Sequence, residues 1–241
     1  MIDAGLVVDT PDGLTVVAEG QVAALPPICL QAGQWLVVTP PAPLQQAKLA
    51  SAVARTLASS GLHQTGRLHL LGVDVRKLSY MALLQLRSRI GYVYSHGGLL
   101  ANRTVQDNIA FPLVFRNELA DDAVADRTAA MLVAFGLTAL AQRRPHQLDA
   151  GERYRVCAAR AVAGSPRLVV VEGAGDFADG EAIGQAWPAL MAQSAAHAFA
   201  LVVALSQVQP TFEAWMLRQG GQVVRWQRAP TQPMLPDEVQ A

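Results

Sequence analysis

At 241 residues, 51% hydrophobic and 16% charged, the chain has the length for one large or two small domains with a proper core and is too apolar to be disordered. Nineteen basic and nineteen acidic side chains cancel and no basic run occurs, which argues against a nucleic-acid-binding surface. The longest apolar run, Ala198 to Leu205, falls well short of the about 20 residues that a membrane-spanning helix requires, so it predicts a core strand. Cys29 and Cys157 lie far apart without metal-ligand spacing, which predicts two small core residues in a reducing compartment. The start MIDAGLVVDT has no basic stretch followed by an apolar one, so no signal peptide is expected.

The first 30 residues hold four short β-like pieces, Gly5–Val8, Leu14–Ala18, Val22–Leu25 and Ile28–Leu30, with a turn at Pro11-Asp12-Gly13. A strand Trp35–Val38 then leads into a helix from about Leu44 to Ser59. Arg67–Leu71 reads as a strand, Ser79 caps a helix to about Ser88, and Ile90–Tyr94 is the next strand. Thr104 with Asp107 has capping-box spacing and opens a helix over Val105–Phe111. Asp121–Phe135, closed by Gly136, and Asp149–Ala163 are further helices. Leu168–Val171 is a short, fully apolar strand, followed by helix Glu181–Ser194 and strand Ala200–Leu205. Met216–Arg218 and Gln222–Trp226 flank Gly220-Gly221 and read as a terminal hairpin, and the chain after Ala229 is a Pro-rich tail. Alternating strands and helices with a helical block at about 97–163 predict an α/β domain carrying a helical insertion.

Residues 33–57, GQWLVVTPPAPLQQAKLASAVARTL, have the layout of a phosphate-binding loop: glycine turn, apolar strand, loop, then an Ala/Leu-rich helix. The loop itself, Thr39-Pro40-Pro41-Ala42-Pro43-Leu44-Gln45-Gln46, lacks the glycines and the Lys-Ser/Thr pair that such a site uses. Pro40, Pro41 and Pro43 each remove an N–H and fix φ at about −65°. Two readings stand at this point: a modified nucleotide cradle, or a proline-stiffened strand-to-helix turn.

Three further segments carry a resemblance: Ile90-Gly91-Tyr92-Val93-Tyr94-Ser95 with Gly98-Leu99-Leu100 and Thr104–Leu113 (TVQDNIAFPL), then Gln147–Ala161 (QLDAGERYRVCAARA), then Ser165–Gly173 (SPRLVVVEG). In this order they resemble the ATPase domain of ABC transporters over nearly the whole chain, nearest in flavour to the Mla-type lipid-transport ATPases. The resemblance implies a P-loop NTPase-like α/β fold with an N-terminal antiparallel β subdomain. It implies one domain over 1–228 with a helical subdomain at about 97–163, and a tail at 229–241.

The same resemblance implies where the chemistry belongs. The family's phosphate-binding Lys aligns with Gln45 and its Mg²⁺-binding Ser/Thr with Gln46, while Lys48 lies three residues late. In the Walker B strand Glu172 takes the place of the metal-positioning Asp and Gly173 that of the water-activating Glu; glycine cannot accept a proton. The switch His aligns with Gln207, the metal-sensing Gln with Ser95, and no aromatic occurs in residues 1–34 to stack on adenine. The signature loop, which acts on the ATP of an opposing subunit, is Leu148-Asp149-Ala150-Gly151-Glu152. Asp149 there is either a carboxylate opposing a γ-phosphate or, with Glu152, an acidic capping box. Phe111, Pro112, Leu113 and Phe115 are either local core or the groove that takes a permease's coupling helix.

Together these substitutions imply a subunit without hydrolysis of its own. No cofactor is expected, with ATP and Mg²⁺ entering only if a rearranged loop binds them through Glu172. The implied partners are an integral membrane permease and an active ATPase subunit or a second copy. The implied location is the inner face of the cell membrane, held there through those partners. The five histidines show no zinc-like spacing, so no metal site is expected.

Overall fold

The computed structural model describes residues 5–41, 46–58, 64–94, 97–172 and 186–228. The strands are β1 Leu6–Thr10, β2 Leu14–Ala18, β3 Gln21–Leu25, β4 Ile28–Gln31, β5 Trp35–Thr39, β6 Gln64–Thr65, β7 His69–Leu70, β8 Val73–Asp74, β9 Ile90–Val93, β10 Leu168–Glu172, β11 Ala200–Ala204, β12 Gln222–Arg225 and β13 Gln227–Arg228. The helices are α1 Ala47–Leu57, α2 Tyr80–Ser88, α3 Val105–Arg116, α4 Asp121–Ala134, α5 Ala150–Ala163, α6 Ala186–His197 and α7 Pro210–Arg218.

A five-stranded parallel sheet, in the order β12-β5-β11-β10-β9, organises the molecule. Its central strands are apolar on both faces because both faces are covered. Strand alternation divides them: Leu36, Val38, Leu168, Val170, Val202 and Ala204 face α1 and the N-terminal strands, while Val37, Val169, Val171, Leu201 and Val203 face α5, α6 and the helical block. The two antiparallel sheets, β4-β1-β7-β8 and β13-β3-β2-β6, lie on the α1 side. The fold is thus an α/β core with an N-terminal antiparallel β subdomain and helices α3 to α5 inserted between β9 and β10.

Packing rather than capping holds α1. Its N-cap, Gln46, makes no side-chain capping bond, which forgoes about 1 kcal/mol. Leu49, Val53 and Leu57 are fully buried, and each such side chain contributes about 2 kcal/mol. α3 and α5 start on the capping boxes that their spacing predicts, Thr104 with Asp107 and Asp149 with Glu152.

Several local expectations are corrected. Met216–Arg218 is not a hairpin strand but the end of α7, and β12 runs parallel beside β5 rather than back on a neighbour. Phe212, Trp215 and Met216 pack at helical spacing against the core, and Gly220, at φ +81°, turns the chain from helix to strand. α3 continues through Pro112 to Arg116, because burial of Ile109 and Leu113 outweighs one lost backbone bond. Cys29 is exposed: in a four-residue strand Ile28 and Leu30 point inward and Cys29 and Gln31 outward. The helix expected over Glu181–Ser194 is described only from Ala186 and runs to His197, and the tail 229–241 lies outside the described residues.

Candidate functional site

The C-terminal ends of β5, β10 and β11 and the start of α1 meet at one edge of the parallel sheet, where open α/β folds place ligands. Thr39 ends β5, fully buried, and Pro40 is buried after it. Ala42, Pro43, Leu44 and Gln45 lie outside the described residues, as do Ser95 and Gly173. At the N-terminus of α1 the Gln46 N–H donates to the carbonyl of Ser206 at 2.7 Å. A donor that a phosphate site would aim at its ligand is therefore engaged within the protein. The Gln46 side chain is buried, and its Oε1 makes no hydrogen bond among the described residues. Lys48, the next cation along, points away and pairs with Glu19 at 2.6 Å in the turn between β2 and β3. Gln207 follows Ser206 in a bend beyond β11.

Glu172 closes β10 and is 7% exposed. One carboxylate oxygen accepts the Ser51 hydroxyl of α1, and the other accepts the Tyr92 hydroxyl of β9 at 2.6 Å. Burial, then the bond to this carboxylate, pushes the Tyr92 phenol far above its ordinary value, so it remains a donor. These contacts do not suit Mg·ATP. The acid in the metal-positioning place is occupied by two protein hydroxyls, the helix N-terminus is met by a carbonyl, and the neighbouring lysine is paired elsewhere. Among the described residues no group of three His, Cys, Asp or Glu side chains could hold a metal ion.

The signature-loop segment resolves into a cap. Asp149 Oδ1 accepts the Glu152 N–H at 2.7 Å and Glu152 Oε2 accepts the Asp149 N–H at 2.9 Å. Leu148 is buried in the core, Ala150 is exposed and Gly151 is buried at the helix start. Behind it, Cys157 donates its S–H to the Gly97 carbonyl at 2.7 Å. Burial pushes this thiol up to about 11, against the pull of Arg160 and Arg153. A thiol reagent at about pH 8 is expected to label Cys29 at once and Cys157 only on unfolding, which mass spectrometry of native and urea-treated protein checks. Arg160 donates to the carbonyl of Gly98 at 2.8 Å, and buried Asn108 holds Leu100, Arg103 and Thr104 through four bonds, two of them 2.8 Å. The segment after β9 is thereby fixed to α3 and α5.

Between the end of β9 and α3 lies a groove of about 300 Å³, lined by Tyr92, Tyr94, Phe111, Pro112, Arg116 and Arg160. The apolar cluster of α3 divides over it. Leu113 is 5% exposed and belongs to the core, whereas Phe111 is 47% and Phe115 78% exposed, with ring centroids 6.1 Å apart. Arg116 donates to the carbonyls of Gly164 and Ser88, which ties α3 to the end of α5 and of α2.

One cluster has no counterpart among the sequence expectations. Glu213 of α7 is 5% exposed; it accepts the Thr39 hydroxyl at 3.0 Å and Arg225 of β12 at 2.6 Å. A carboxylate three residues before Met216, on the buried face of a helix, is the signal that would have pointed to a partner.

The chain belongs to the ABC transporter family, whose pattern it matches over residues 50–172. Among curated relatives, methionine import ATP-binding protein MetN 1 of Pseudomonas fluorescens is 35% identical over 107 residues, covering 44% of this chain and 32% of that protein. MetN of Caulobacter vibrioides is 39% identical over 110 residues, covering 46% and 33%. The chain spans about a third of the length of these relatives. Among solved structures, the dimeric ATP-binding cassette MJ0796 bound to ADP and Pi superposes with a TM-score of 0.67 at 19% identity, over 82% of this chain and 87% of that one. CbiO1 of Clostridium perfringens, part of the ABC transporter complex cbiONQ, gives 0.68 at 16%, over 83% and 78%. Both likenesses concern the fold.

Proposed function

We propose that this chain is a non-catalytic ABC-type subunit that docks on a membrane permease and pairs with an active ATPase subunit. The observation that carries the reading is Glu172: the acid that would position Mg²⁺ is buried, and each of its oxygens accepts a protein hydroxyl. The proline-rich loop, the neutral Gln46 with its N–H on Ser206, and the absence of a charged base at Gly173 support it. The groove beside β9, with Phe111 in its α3 wall and the exposed Phe115 stacked on Phe111, supports docking of an apolar helical segment. Among the described residues no helix is long and apolar enough to cross a membrane. The motif resemblance of residues 90–113 implies lipid or phospholipid as cargo. The methionine importers share the engine and mark amino-acid import as the competing cargo, which the permease captured with this chain decides.

The purified chain is expected to show no ATP turnover above a Glu172→Gln variant and no thermal shift with Mg·ATP. A functioning site of about 10 μM affinity at about 1 mM ATP would gain about 2.7 kcal/mol, or about 5–10 °C for a chain of this length. A shift of that size, or turnover lost in Glu172→Gln, would favour a divergent active ATPase. Gentle solubilisation of native membranes with a tagged chain is expected to recover a permease and a motif-intact ATPase together. Recovery of neither would leave a soluble scaffold.

A further inference from the structure

Glu172, Ser51 and Tyr92 come from three separate elements, β10, α1 and β9. Strands β9 and β10 pair Val170 with Tyr92 and Val171 with Val93, so Tyr92 and Glu172 lie on the same face, one diagonal step apart, on the side covered by α1. From there the carboxylate receives a hydroxyl from the helix and another from the edge strand. An ionised carboxylate only accepts, and a phenol and a serine hydroxyl both donate, so both hydroxyls suit the carboxylate. Tyr92 also lines the groove, with its ring 4.6 Å from that of Tyr94, which lines the groove beside it.

We infer that Ser51, Glu172 and Tyr92 form a side-chain clamp that fixes α1 against β9 and holds the Tyr92–Tyr94 wall of the groove in one arrangement without any nucleotide. The inference rests on the reading of this chain as a subunit that does not use Mg·ATP itself. It adds a role for the acid left in the metal-positioning place: Glu172 is the link between the helix at the sheet edge and the surface where a partner docks. Three features argue for a link rather than three ordinary polar contacts. The carboxylate is buried, so losing either donor leaves an acceptor that water reaches poorly. The two donors sit on different elements, the helix α1 and the edge strand β9. And one of them, Tyr92, shares its ring between the clamp and the groove, so its position cannot change without moving what Tyr94 packs on.

The test is hydrogen exchange of the full-length chain, read by mass spectrometry on wild type, Tyr92→Phe, Ser51→Ala and the double variant, each with and without Mg·ATP. Tyr92→Phe keeps the ring and removes only the donor. It is expected to raise exchange about tenfold in 90–94 and also across the far wall, 97–116, with β1 to β4 unchanged, as fits the loss of one bond to a charged group. Ser51→Ala, which does not line the groove, is expected to raise exchange in the same two segments. The double variant should match the larger single effect, since the two donors act through one carboxylate. Exchange that rises only at 90–94, a uniform rise that includes residues 6–31, or strictly additive single effects would each overturn the clamp. Slowed exchange at 46–58 on adding Mg·ATP to wild type would overturn the non-catalytic reading. The comparison of variants without nucleotide judges the clamp either way.

Discussion

Gly91→Ala is expected to lower the unfolding free energy by about 3 kcal/mol, measured by urea denaturation, and to be the most damaging single-methyl change in the sheet. Gly91 is the second residue of β9, and a Cβ there would stand 2.2 Å from the carbonyl oxygen of Ala161 and 2.9 Å from its carbon, with Val169 Cγ2 at 3.3 Å. The first two atoms are backbone of α5, so no rotamer change relieves the collision. α5 cannot retreat either, because Tyr154, Val156, Cys157, Ala158 and Val162 anchor it in the main core. The methyl group must separate helix from strand, opening the contact that also shapes the groove floor. Gly220→Ala is the control. Nothing lies within 4 Å of its Cβ, and its cost is limited to the strain of φ +81°, about 1 kcal/mol. If Gly91→Ala costs no more than Gly220→Ala, close packing of α5 on β9 is not what this glycine serves.

That pair shows what was legible in the sequence and what was not. Ile90–Ser95 is recognisable as a motif, but the reason for its glycine is the carbonyl of residue 161, 70 positions later. Patterns that depend on near neighbours came through: the capping boxes at Thr104 and Asp149, the left-handed Gly136, the doubly buried β10 and β11. The cap at Asp149 follows from spacing too, because it needs only the residue three places on. Failures occurred where short-range signals competed. Gly220-Gly221 is a turn signal that fits a hairpin as well as a helix-to-strand joint, and only the spacing of Phe212, Trp215 and Met216 separates the two. Residue type alone favours a buried Cys29, whereas a four-residue strand is ruled by alternation. The Ser51–Glu172–Tyr92 and Thr39–Glu213–Arg225 clusters join positions up to 174 residues apart, and nothing in local pattern specifies such partners.

The second of those clusters carries the other large effect. Arg225→Met is expected to cost about 3 kcal/mol of stability, and Glu213→Gln about 1 kcal/mol, again by urea denaturation. The asymmetry follows from burial. The Arg225 side chain is 53% exposed and the Glu213 side chain 6%. Removing the arginine strands a charge that water cannot reach, with the Thr39 hydroxyl at 3.0 Å and the Gln209 N–H at 3.4 Å left to solvate it. Removing the charge instead leaves a neutral amide at position 213, whose carbonyl still accepts from those two donors, and frees Arg225 to turn into solvent. Methionine preserves the long apolar stem, so the comparison isolates the charge from the packing that an alanine would also remove. The consequence reaches the sheet edge. Thr39 is the last residue of β5 before Pro40, and β12 is the outer strand beside it, so Glu213 fixes both to α7 at the point where the chain enters the loop that leads to α1. A stranded Glu213 should therefore loosen the C-terminal end of β5 before the rest of the sheet. Faster exchange at residues 36–39 and 222–225 than at 168–172 in Arg225→Met would register that local opening. Equal costs for the two variants would mean that leaving Glu213 charged and unpaired carries no penalty beyond losing the pair itself.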